Sequence, residues 1–142
     1  RTLSKIGMAA LRIGILVSSR KITGELEKVR LPYNINTFSQ AAASALLSHP
    51  EVLKKQIRMI IEERERLFGS MSGITGIQTY PSQANFILFR TQGAEELYRS
   101  LLKAGILVRN LDQPGPLQGC LRVTVGMPEE NTEFLEHLGR FF

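Results

Sequence analysis

The chain has 142 residues, with 18 lysines and arginines against 13 aspartates and glutamates, a net charge of +5, and 43% hydrophobic residues. That length and composition suit one globular domain, or a small domain joined to part of another, burying about two thirds of the unfolded surface. No apolar run reaches the ~20 residues of a bilayer-crossing helix, the single cysteine, Cys120, excludes an internal disulfide and points to a reducing compartment, and basic residues interleaved with glutamates, as in EERER, argue against a nucleic-acid stripe.

In chain order, LRIGILVSS reads as a buried strand over roughly 11–18, and KITGELEKVR as a short helix broken by LPYNIN. Thr37 is placed as the N-cap of the small-residue helix FSQAAASALLS, with Gln40 completing a capping box. Pro50 opens the longest helix, about 51–71. Its apolar stripe is Val52, Leu53, Ile57, Ile60, Ile61, Leu67, Phe68 and Met71, at three- and four-residue spacing. The rhythm then changes. IQTYP and NFILFR read as strands, AEELYRSLLKAG as a helix ended by Gly105, ILVRNL and CLRVTVG as strands, and PEENTEFLEHLGRFF as a helix with Pro128 near its first turn.

Strands and helices in this order make a compact α+β layer. The domain reading is residues 1–47 as one body, 48–73 as a connecting long helix, and 74–142 as a second body. In the first body a single strand has no partner for its ladder hydrogen bonds, and RTLS reads as the tail of another strand. The chain is therefore expected to be the C-terminal part of a longer one.

Lys5 follows a hydroxyl, Ser4, and precedes Arg12 by seven residues. A lysine near a second cation loses basicity, which frees its amine to condense with an aldehyde. Arg12 is either that neighbouring cation or, with Ser4 and backbone N–H groups, a phosphate ligand. The bland alternative is a surface lysine at a strand end. Other residues carry weaker signals. Asn85 is read as satisfying backbone groups at a turn, and Tyr33 and Asn34 as loop residues near a site or an interface. His49 and His137 lack a partner at metal-ligand spacing and are read as surface residues, so no metal site is expected. Alternation places Cys120, read as a small half-buried residue and not a nucleophile, on the same side of its strand as Arg122.

RTLSKIGMAALRIG resembles the lysine motif of fold-type I, class I/II aminotransferases that use pyridoxal phosphate. PYNINTFSQAAA, QANFILFR, GILVRNL and LRVTVGMPEEN are similar, in order, to segments of the histidinol-phosphate aminotransferase family. The resemblance implies an α/β fold: the end of a large pyridoxal-phosphate domain followed by the α+β small domain. It implies that Lys5 bonds covalently to the cofactor and shuttles the substrate proton, that Ser4 and Arg12 bind the cofactor phosphate, and that Arg122 clamps the substrate carboxylate. Arg109 matches a position that reaches the substrate phosphate.

The implied activity moves an amino group between histidinol phosphate and 2-oxoglutarate in histidine biosynthesis. Its partners would be small amino and oxo acids, with no nucleic acid or membrane, in a cytoplasmic homodimer. An aromatic-amino-acid aminotransferase, a threonine-phosphate decarboxylase and a non-catalytic folding or interaction module are the alternatives. The family also uses an aspartate at the pyridine nitrogen, an asparagine and a tyrosine at the cofactor 3′-oxygen, and a stacked aromatic ring, all preceding the lysine. The isolated chain is therefore expected to be inactive.

Overall fold

The structure, a computed structural model, describes residues 2–142. It divides into two compact units, one extending to Ile57 and the other spanning Arg58–Phe142, with the boundary inside the longest helix.

The first unit opens with two 3-10 turns, Leu3–Ile6 and Ala9–Leu11, then α1 (Arg20–Val29), α2 (Thr37–Leu47) and the start of α3 (Pro50–Ser72). The expected strand over 11–18 is not formed. One isolated bridge, Thr2 to Gly14, is the only pairing there among the described residues, and Leu16 and Val17 are 63% and 92% exposed. The physical reason is that a strand needs a continuous ladder, and here the pairing is local: the Ile13 carbonyl accepts from Leu3 N at 3.1 Å beside the single Thr2–Gly14 bridge. RTLS is not a strand tail either, since Leu3–Ile6 turns tightly (Arg1 lies outside the described residues).

Helix α1 is capped by Ser19, whose Oγ accepts from Ile22 N at 3.4 Å. The cap of α2 sits one residue earlier than the sequence suggests. Asn36 Oδ1 accepts from Ser39 N at 2.8 Å, while Gln40 Nε2 donates to the Ile35 carbonyl at 2.9 Å. Asparagine caps as well as threonine or better, so two adjacent candidates compete and the backbone entering the helix decides. The apolar stripe of α3 is buried only toward its C-terminal end, at Ile60, Leu67 and Met71; Val52 and Ile61 remain half exposed.

The second unit is a four-stranded antiparallel sheet in the order β1-β2-β4-β3, with β1 Gln78–Thr79, β2 Phe86–Arg90, β3 Arg109–Asn110 and β4 Cys120–Thr124. Helix α4 (Ala94–Lys103) follows β2, and α5 (Pro128–Phe141) follows β4. Mixed helix and sheet is the expected class.

Alternation sorts the sheet into two faces. Ile87, Phe89, Leu121 and Val123 point into a core shared with Leu67 and Met71 of α3, Leu97 and Leu101 of α4, and Phe134 and Leu138 of α5. Phe89 and Phe134 meet edge to face with centroids 6.3 Å apart. Each fully buried side chain of this size contributes roughly 1.5–3 kcal/mol.

Pro128 occupies the first turn of α5, where its missing N–H costs nothing, and Glu130 Oε2 accepts from Met127 N at 2.7 Å. His137, read from sequence as a surface residue, is half-buried, with its Nε2 2.9 Å from Ser100 Oγ of α4. The 3.6-residue period turns it toward α4 rather than solvent. His49 is exposed beside Glu51, as expected, at 3.2 Å. No helix among the described residues is long and apolar enough to cross a membrane.

Candidate active site

In the first unit, Ser4 and Lys5 sit inside the Leu3–Ile6 turn, and Arg12 ends the Ala9–Leu11 turn in the left-handed conformation, φ 56°. The turns exist because Gly7, at φ 84°, reverses the chain where a side chain would be strained. The result is a small cavity of about 210 Å³ lined by Thr2, Ser4, Met8, Ala9, Arg12 and Ile13, together with Gly14. Thr2 Oγ1 lies 2.8 Å from Ser4 Oγ, so two hydroxyls and one guanidinium face the same space.

Arg12 spends one N–H on the Ala9 carbonyl at 3.4 Å, a weak bond. Lys5 is exposed and lies outside the cavity lining. Two hydroxyls with a planar cation are the donor set that suits a phosphate dianion. The residues present, Ser4, Arg12 and Thr2, therefore have the chemistry to fit the phosphate of pyridoxal phosphate. Thr2 was missed in the sequence; its signal was a hydroxyl two residues before Ser4.

In the second unit, the face of the sheet away from the core carries Phe86, Leu88 and Arg90 of β2, Cys120 and Arg122 of β4, and Arg109 of β3. The strand register places Arg122 directly opposite both Leu88 and Arg109. Sequence alone does not pair the two arginines. No carboxylate stands among these strand residues.

Phe86 is a further residue the sequence did not single out. Its ring lies 4.8 Å from the Arg122 guanidinium carbon, within cation–π range. Nε of Arg122 is buried and has no hydrogen-bond partner among the described residues. An unspent guanidinium donor shelved on a ring, beside a second arginine, is a site for an anion. Arg90 Nε is likewise buried without a partner among the described residues, but the rest of its guanidinium is engaged. It donates to the Pro116 carbonyl at 2.6 Å and lies 5.9 Å from the Tyr80 ring centroid, and its guanidinium pKa is held above the ordinary range, first by the Cys120 thiol and then by Tyr80.

The weaker sequence candidates are dispersed. The Asn85 carbonyl accepts from Val125 N at 2.9 Å. Tyr33 is 98% exposed with φ 58°. Cys120 is buried and free, on the Arg122 face as alternation required. No group of three or more metal-ligating side chains occurs among the described residues.

The comparisons bear on both units. The family model for aminotransferase class I and II matches residues 1–138. The histidinol-phosphate aminotransferase of Aquifex aeolicus is 51% identical over 140 residues, covering 97% of this chain and 40% of that protein. This chain thus spans about two fifths of the length of such curated relatives. Among solved structures, the histidinol-phosphate aminotransferase from Clostridium acetobutylicum superposes with a TM-score of 0.85 at 28% identity, over 99% of this chain and 44% of that one. The L-threonine-O-3-phosphate decarboxylase from Porphyromonas gingivalis gives a TM-score of 0.81 at 25% identity, over 98% and 44%. The matched family is pyridoxal-phosphate-dependent. With its lysine motif, its small antiparallel domain and a family match over nearly its whole length, the chain belongs to the class I and II aminotransferases.

Proposed function

We propose that this chain supplies the cofactor lysine and the two substrate-clamping arginines of a pyridoxal-phosphate-dependent aminotransferase acting on histidinol phosphate and 2-oxoglutarate. The observation that carries it is the direct cross-strand pairing of Arg109 with Arg122. The same site must take the carboxylates of 2-oxoglutarate in one half-reaction and the single phosphate dianion of histidinol phosphate in the other, and two guanidinium forks on a rigid sheet suit both kinds of anion.

In this reading Ser4 and Arg12 hold the cofactor phosphate, and Lys5 bonds to the cofactor. When bound, pyridoxal phosphate supplies the aldehyde carbon and the electron-withdrawing ring through which the amino group is transferred. The Lys5 amine moves a proton at the substrate Cα, acting as general base and then general acid. Arg122 orients the carboxylate of the amino or oxo acid, with Phe86 fixing the plane of its fork. Arg109 binds the phosphate of histidinol phosphate.

The domain division accompanying this reading puts 1–47 in the cofactor-bearing body, 48–73 in the connecting helix and 74–142 in the small domain. The assembly is proposed as a cytoplasmic homodimer. Supporting that, the chain has one cysteine and exposes apolar side chains along Ile15–Val17 and on α1.

The test is a fusion in which this chain replaces the matching segment of the Aquifex aeolicus relative. Absorbance at the cofactor's visible band, transamination of histidinol phosphate, and peptide mass after borohydride reduction are then measured. The expected result is cofactor fixed on Lys5, activity with histidinol phosphate, and loss of both in Lys5→Ala. A folded fusion that fixes the cofactor but does not transaminate histidinol phosphate removes the substrate assignment. The structural likeness to a threonine-phosphate decarboxylase favours one second reading, and carbon dioxide release from threonine phosphate by that same fusion would establish it.

A further inference from the structure

The pairing of Arg109 with Arg122 is a physical problem as well as a site. Like charges directly opposite on neighbouring strands destabilise the pair, and β3 is two residues long, with little ladder of its own to resist. Beyond the two ladder pairs and the bond from Leu111 N to the Cys120 carbonyl at 3.0 Å, a side-chain contact also holds β3 in place.

The neighbouring residue provides it. Alternation sends Arg109 to the open face and Asn110 to the opposite one, where α4 packs. Asn110 Nδ2 donates to Glu95 Oε2 of α4 at 2.9 Å. The other oxygen of Glu95 accepts from Arg99 Nε at 2.7 Å, which fixes the carboxylate. Asn110 Oδ1 accepts from Asp112 N at 2.8 Å, and Asp112 Oδ1 accepts from Gly119 N at 2.6 Å. One side chain thus ties α4 to β3 and, through Asp112, to Gly119, the turn residue just before β4. Every donor and acceptor of the Asn110 amide that this requires has a counterpart of the right kind: a carboxylate for its N–H, a backbone N–H for its oxygen.

We propose that Asn110 is a positioning residue. By anchoring β3 to Glu95 and Asp112, it holds Arg109 opposite Arg122 against their mutual repulsion, and so sets the separation of the two anion-binding forks. This rests on the reading of Arg109 as a phosphate ligand, but the anchoring itself is open to direct observation.

The experiment uses the isotope-labelled 142-residue chain, read by cross-strand nuclear Overhauser contacts and by titration with inorganic phosphate. In Asn110→Ala, contacts between residues 109–110 and 121–122 should disappear while those between β2 and β4 persist, and phosphate should bind about tenfold more weakly. Asn110→Asp alone faces Glu95 with a second carboxylate and should behave like the alanine variant. Asn110→Asp with Glu95→Gln reverses the donor and acceptor and should restore both contacts and binding.

In the fusion enzyme, Asn110→Ala should raise KM for histidinol phosphate roughly tenfold with kcat nearly unchanged, a split that a general loss of stability does not produce. The inference is overturned if the 109–122 contacts survive in Asn110→Ala, or if they vanish together with the β2–β4 contacts. If Arg109→Ala leaves phosphate binding intact, it is the role of Arg109 that fails, and the contact pattern still decides the role of Asn110.

Discussion

Arg109 and Arg122 stand directly opposite one another on β3 and β4, on a sheet face whose strand residues include no carboxylate. Two cations held opposite one another are stabilised by an anion that enters between them. Titrating inorganic phosphate at low ionic strength should therefore raise the unfolding free energy of the chain, by about 1.4 kcal/mol at tenfold excess over Kd. Arg109→Ala and Arg122→Ala should each abolish most of that gain. A gain of equal size in both variants would mean that phosphate acts elsewhere on the chain.

Glu63 of α3 predicts an acid-sensitive lock on α5. Its carboxylate accepts from Arg66 Nη2 at 2.8 Å and from Asn131 Nδ2 at 2.7 Å, and Asn131 Oδ1 in turn accepts from Gly126 N at 2.9 Å. The Glu63 pKa is lowered chiefly by the hydrogen bond from Arg66, against an opposing effect of burial. A carboxyl group with a depressed folded pKa contributes stability above its unfolded pKa, about 4.3 for glutamate, and loses it as pH falls through the folded value. Glu63→Gln should therefore destabilise at pH 7 and much less at pH 3, as read by urea unfolding at each pH. An equal penalty at both would assign the effect to packing.

The cap of α2 separates two adjacent residues. Because Asn36 makes the cap bond, Asn36→Ala should cost about 1 kcal/mol, whereas Thr37→Ala should fall within about 0.5 kcal/mol of the parent. Thermal unfolding followed by helical circular dichroism checks this. The reverse order would return the cap to Thr37.

Gly119 is the turn residue on which β4 starts. Its φ is 74°, and a Cβ there would lie 2.8 Å from the backbone oxygen of Thr91. The left-handed conformation alone costs a side chain roughly 1–2 kcal/mol, and backbone oxygen cannot swing aside as a flexible side chain would. Gly119→Ala should lose at least about 2 kcal/mol in chemical unfolding, with weakened β2–β4 amide protection. Gly105→Ala, also at positive φ but with open space around it, should show the conformational cost alone.

What the amino-acid order determined by itself is what closes within a few residues. Helices α1, α3, α4 and α5 were legible because their hydrogen bonds and apolar stripes are local, and β2 and β4 because their alternation matches a half-buried sheet. Membership of the family was likewise legible, through the motif around Lys5 and the segments that follow it. What only the tertiary structure decided depends on partners distant in sequence. The residues at 11–18 have strand composition but no ladder to join, so they form none. Asn36 displaces Thr37 because the incoming backbone aims its side chain at Ser39. The pairing of Arg109 with Arg122, the ring of Phe86 beneath the guanidinium and the tether from Asn110 to Glu95 all follow from strand register. Register is set by cross-strand packing and loop closure, which residue order along one strand does not encode.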